Sequence, residues 1–190
     1  MTSLIHKAQS MTLPLLAMGL FVVATVLSAF PREADAGASI RVFDTGSSPA
    51  RHDYIKFHGR IIPTTPIDPG AEIISVRLTN ASGLIYSVDL PAGLIVGNRP
   101  FDSKKWKFKD TTAKVLGPGS AHHGVFRMRF KRRQEETGIA YPFFFTAYGD
   151  LSAATVPTMT FQIQIGNDVG AVTRTWTGEP GRWKLKEGAF

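Results

Sequence analysis

Beyond residue 36, apolar and polar side chains alternate with a period of two through most of the chain, the pattern of strands with one buried and one wet face. It is clearest where Met159, Phe161, Ile163 and Ile165 alternate with Thr158, Thr160, Gln162 and Gln164. Tyr141 to Tyr148 is apolar at both phases, which predicts a central strand covered on both sides. Between these two, Asp150 is expected to cap one short helical turn over Leu151 to Ala154, and Pro157 bars that turn from extending.

The same periodicity predicts the other elements. Ile40, Val42 and Phe43 suggest a short edge strand. Ile55, Phe57 and Ile61 oppose Tyr54, Lys56, His58 and Arg60, with Gly59 at the position of a bulge. Ile74 to Leu78 and Leu84 to Leu90 form a hairpin around Asn80-Ala81-Ser82-Gly83, with Leu84, Tyr86, Val88 and Leu90 inward. Leu94 to Val96 is a brief edge segment. Trp106 and Phe108 point inward from the next strand, and Phe126, Met128 and Phe130 from the strand Val125 to Arg133. A turn over Gly166 to Gly170 leads to a last pair, Val172 to Trp176 and Arg182 to Leu185. Roughly nine strands and no amphipathic helix predict an all-β domain over 37–190, an antiparallel β-sandwich or jelly-roll-like barrel.

The first 36 residues differ in kind. Lys7 precedes an apolar run over Met11 to Phe30, and Ala34-Asp35-Ala36 follows. This n-region, h-region, A-x-A order is that of a secretory signal peptide cut after Ala36. The competing expectation is an uncleaved membrane anchor, because the run approaches the ~20 residues that span a bilayer. Export to the periplasm or medium follows, with membrane contact only through this segment if it stays attached. Its charges, Lys7, Arg32, Glu33 and Asp35, cancel, so the formal net charge of +7 belongs to the domain.

With no cysteine, the chain has no disulfide framework, thiolate metal site or thiol nucleophile. The basic balance favours acidic partners. No H-E-x-x-H, G-x-S-x-G, phosphate-cradling or Ca²⁺-loop signature is present, and no cofactor is implied. His122 and His123, with His52 or His58, have the chemistry for Zn²⁺ or Cu²⁺, but adjacent histidines on an extended segment point apart, and exposed loop roles explain them. Asp102, Asp110, Glu135, Glu136, Asp150 and Asp168 are carboxylates of the type a glycosidase needs, yet they sit in turns beside Gly, Lys or Arg. Asn80-Ala81-Ser82 fits an N-glycosylation acceptor and equally a plain turn.

Arg127, Arg129, Lys131 and Arg133 share the outward phase of one strand, as Lys105, Lys107 and Lys109 do of another. If the connector between them closes a hairpin, seven cations line one sheet face, an arrangement that suits a polyanion such as an acidic polysaccharide. Alternating cations also protect exposed strand edges, which is the plainer explanation. Nucleic acid is the weaker form of the idea, since no aromatics interleave the row to stack bases. Trp106 or Trp183 would supply a sugar-stacking face.

The order W-K-F-K-D, V-F-R-M-R-F-K, A-Y-G-D-L-S-A-A-T, T-F-Q-I-Q-I-G-N-D, T-R-T-W-T and R-W-K-L, spread over Asp53 to Leu185, resembles a group of largely uncharacterised exported all-β proteins of environmental bacteria. The resemblance implies the fold and export and no reaction. The leading expectation is therefore an exported non-catalytic β-sandwich with a structural, adhesive or surface role. The alternative is a carbohydrate- or polyanion-binding module, and the third reading is an enzyme acting on polysaccharide.

Overall fold

The computed structural model describes residues 37–41, 52–99, 103–136 and 138–185. The expected leader, Val42 and Phe43 of the first strand, and Asp102 lie outside the described residues. Within them, thirteen strand segments follow in order. The first seven are β1 (Gly37–Arg41), β2 (Asp53–Ile61), β3 (Ile74–Asn80), β4 (Gly83–Leu90), β5 (Val96–Gly97), β6 (Lys105–Lys109) and β7 (Val125–Lys131). Then come β8 (Arg133–Glu135), β9 (Gly138–Gly149), β10 (Thr158–Ile165), β11 (Asp168–Thr175), β12 (Thr177–Glu179) and β13 (Arg182–Leu185). One short helix, α1 (Ala113–Leu116), and a 3-10 turn over Gly117–Gly119 occupy the β6–β7 connector. The excess over roughly nine strands comes from pieces of two to five residues.

All pairings are antiparallel, in two sheets. The larger runs β12-β13-β1-β2-β9-β7-β6-β5, with β8 also on β9; the smaller runs β11-β10-β3-β4. The fold is all-β and sandwich-like: the inward rows of the two sheets close on each other and exclude water. Phe57 of β2 stacks on Phe161 of β10 with centroids 3.6 Å apart and 7° between planes. Phe143 and Phe145 of β9 reach the same ring at 6.1 and 6.3 Å. Gly59 is no bulge. Its pairing with Phe143 runs unbroken, and a Cβ there would sit 3.1 Å from the Phe57 and Phe143 rings, so glycine makes room for aromatics.

Bulges fall elsewhere and turn two residues over. Val125 pairs with Ala147 and Arg127 with Thr146, so Phe126 is the extra residue. Val125 takes the inward place, fully buried, and the Phe126 ring meets Tyr148 at 5.9 Å on the outward side. On β4, the slip opposite Leu78/Thr79 buries Ile85 and leaves Leu84 58% exposed, the reverse of the expected phase. The β3–β4 and β10–β11 turns are also tighter than expected. Asn80 pairs with Gly83 around Ala81-Ser82, and Ile165 with Asp168 around Gly166-Asn167.

β1 is no edge strand, since it pairs with β2 on one side and β13 on the other. Asp150 caps no helix; its Oδ1 accepts the Ser152 N–H in a local turn, while the buried Asp53 holds the Leu151 N–H. β9 is central, flanked by β2, β7 and β8, but covered on one face only. Its outward Pro142, Phe144 and Tyr148 are half-buried among neighbouring side chains rather than under a second layer.

Candidate functional site

The β6–β7 pairing sets the charged residues face to face. Lys105 stands opposite Lys131, Lys107 opposite Arg129, and Lys109 opposite Arg127. Directly opposed residues in a ladder lie roughly 5 Å apart, and successive outward residues of one strand about 7 Å apart. The six thus form two rows of three on the outward face of the larger sheet. The inward partners of the same pairs, Trp106 with Phe130 and Phe108 with Met128, are buried and fix the phase. Burying these apolar side chains obliges the cations to face water.

Arg133 continues the row. Arg129 pairs with Phe144 and Arg133 with Ala140, so the register of β7 on β9 carries through β8. The ladder breaks between them, where Pro142 has no N–H to give. Arg133 is exposed, and among the described residues no strand pairs with it from the β6 side. All seven cations therefore share one face, six of them as opposed pairs.

Acids do not interleave the pairs among the described residues. Glu135 binds Arg60 of β2 at 2.9 Å, away from β6. Asp110, at the head of the connector, accepts from the Thr112 hydroxyl and lies 3.3 Å from His122 Nδ1. The Thr112 hydrogen bond, and then His122, hold the Asp110 carboxyl below the usual carboxylate range. At the same end, two cations lie over the Phe126 ring, the Lys114 ammonium of α1 at 5.5 Å from its centroid and the Arg127 guanidinium at 5.8 Å. The Arg127 Nε is buried without a hydrogen-bond partner.

Between the rows and β2 the face becomes apolar. Lys105, Lys107, Arg129 and Lys131 line one side of a shallow depression of about 320 Å³, and Pro142 and Phe144 of β9 form its apolar part. Across β9, Phe144 pairs with His58 and Arg129. Further along the face, Tyr148 makes edge contacts with Tyr54 at 6.1 Å and with Phe126. Aromatics therefore stand beside the cation rows on β9, although none interleaves the opposed pairs themselves. Phe144 carried no signal of its own, because a strand apolar at both phases reads as core throughout.

Trp106 and Trp183 are not stacking surfaces. Both are buried; the Trp106 indole N–H donates to Asp68 Oδ1 at 2.9 Å and that of Trp183 to the Ala154 carbonyl at 2.6 Å. Each is a core ring whose polar edge is tied down. The histidines are apart in function: His52 Nε2 lies 2.9 Å from the Val115 carbonyl oxygen, His122 faces Asp110, and His58 is on β2. Asn80 holds its turn, its Oδ1 accepting the Ser82 N–H and its Nδ2 donating to the Ala153 carbonyl. Among the described residues no three histidine or acidic side chains group as metal ligands, and no helix is long and apolar enough to cross a membrane.

Compared with protein-family models, with curated proteins and with solved structures, the chain has no significant match.

Proposed function

We infer that this is an exported, non-catalytic β-sandwich module that binds polyanions through the outward face of β6 and β7. The observation that carries the reading is the direct opposition of Lys105, Lys107 and Lys109 to Lys131, Arg129 and Arg127. Like charges set opposite each other in a ladder destabilise it, by up to about 1 kcal/mol per pair in water. Edge protection does not require this arrangement, since β7 is an interior strand between β6 and β9. A ligand with closely spaced negative charges relieves the repulsion and releases its own counterions on binding. The leader expected from the sequence, and the resemblance to exported all-β proteins, support an extracytoplasmic acidic polysaccharide as the polyanion.

The test is retention on immobilised heparin as a function of salt. The protein is expected to elute at raised ionic strength, and the triple variant Arg127→Ser, Arg129→Ser, Lys131→Ser to elute much earlier with its fold intact by circular dichroism. Equal elution of the two would remove the site.

A further inference from the structure

We propose that the depression where the basic face meets β9 seats one carboxylated sugar ring of an acidic polysaccharide, with the C–H face of the ring on Phe144 and Pro142 and its carboxylate among Lys107, Arg129 and Lys131. The proposal rests on the polyanion reading and narrows its ligand to polyuronates.

A surface that recognises charge alone needs only cations, and a ligand with no apolar face, such as polyphosphate, offers nothing to an apolar floor. Here the floor borders the cation rows directly: Phe144 of β9 is cross-strand neighbour to Arg129, and Pro142 is on the same face of β9. The volume of about 320 Å³ is at the lower end of the roughly 300–1,000 Å³ typical of small-ligand sites. Trp106, Phe130 and Phe143 support it from beneath and are themselves buried. A pyranose ring with one carboxylate joins the two required chemistries in one unit: an apolar face for an aromatic ring and an anionic edge for a guanidinium.

Single-stranded nucleic acid makes different demands. Successive bases stack on successive exposed aromatic faces along a basic track. Among the described residues, Phe144 is the one outward aromatic that lines the depression. The next outward aromatic of β9, Tyr148, lies outside the depression and packs in edge contacts with Tyr54 and Phe126.

The experiment measures binding of the full chain to three probes of similar length: polygalacturonate, inorganic polyphosphate and poly(dT). Phe144→Leu keeps apolar volume without a ring face, and Phe144→Ala removes both. With polygalacturonate, each variant is expected to bind about tenfold more weakly than the parent, the loss typical of a removed aromatic anchor. Polyphosphate binding should change less than about twofold, because charge alone carries it. Thermal melts identify any loss due to unfolding, and Phe144→Leu is the variant that decides if Phe144→Ala does not fold. Equal loss for both polyanions, or none for either, overturns the seat. Preference for poly(dT), with its binding lost in Phe144→Leu, overturns it in favour of base stacking. Binding of polyphosphate but not polygalacturonate also overturns it while leaving the polyanion reading standing. Failure to bind any of the three overturns both.

Discussion

Lys107 and Arg129 stand directly opposite each other on β6 and β7, flanked on either side by a further opposed pair of cations. The ladder is held in this register by the inward Trp106, Phe108, Met128 and Phe130, whose burial outweighs the repulsion above them. Replacing one charge with a strand-forming neutral residue should therefore stabilise the fold. Arg129→Thr is expected to raise unfolding stability by up to about 1 kcal/mol at low ionic strength, with the gain vanishing in high salt as screening removes the repulsion. Urea unfolding at the two salt concentrations checks this. A loss of stability at low salt would mean that the charge is already compensated within the fold.

That opposition was half legible. Period two placed each cation on an outward phase, because the apolar residues between them have to be buried. Which strands are neighbours, and in what register, depends on long-range pairing that no local pattern encodes. Phe126 and Leu84 were misplaced for a related reason: a bulge inserts one residue into a strand and reverses the phase without altering its composition. Phe144 was hidden by its own strand, whose apolar outward residues meet flanking side chains instead of a second layer. The tryptophans misled in the opposite direction, since a W-K repeat looks amphipathic whether or not the ring has a partner for its N–H.

The chain's three tryptophans, Trp106, Trp176 and Trp183, are all buried. Their emission is expected to be blue-shifted, insensitive to iodide, and unchanged when polygalacturonate is added. Trp183→Phe deletes the donor to the Ala154 carbonyl, which costs about 1–3 kcal/mol for the unpaired group, and it should leave binding unaltered. A fluorescence change that tracks polysaccharide concentration would bring an indole back into the site.

The connector that joins the two basic strands depends on Gly124. Its φ of +86° is in the region glycine tolerates, and a Cβ at this position would collide with the Tyr148 carbonyl oxygen. Here the chain approaches β9 closely enough for the Gly124 carbonyl to accept the Tyr148 N–H at 2.8 Å. Gly124→Ala is expected to destabilise the protein by more than about 2 kcal/mol and to weaken polyanion binding by loosening the hairpin. Gly119→Ala, in the same connector with open space at its Cβ position, is the control expected to cost little. Equal melting temperatures for the two variants would contradict the close approach.

Acid stability should report on the same connector. Asp110 is held below its ordinary range by its hydrogen bond with Thr112 and then by His122, Asp150 by Ser152, and Asp89 first by Ser75 and then by Arg77. A carboxyl whose folded value is depressed binds fewer protons folded than unfolded, so its contribution is complete above the unfolded value of about 3.9 and is lost as pH falls through the folded value. Stability should accordingly decline from about pH 4 downwards, with Asp110 one of three contributors. Asp110→Asn cannot titrate, and its urea midpoint is expected to be lower than the parent's at pH 7 and to fall less steeply with acid. The connector closes the basic hairpin, so the variant should also weaken heparin retention at neutral pH although it removes a negative charge; stronger retention would mean that Asp110 acts on the face through its charge and not through the turn it holds.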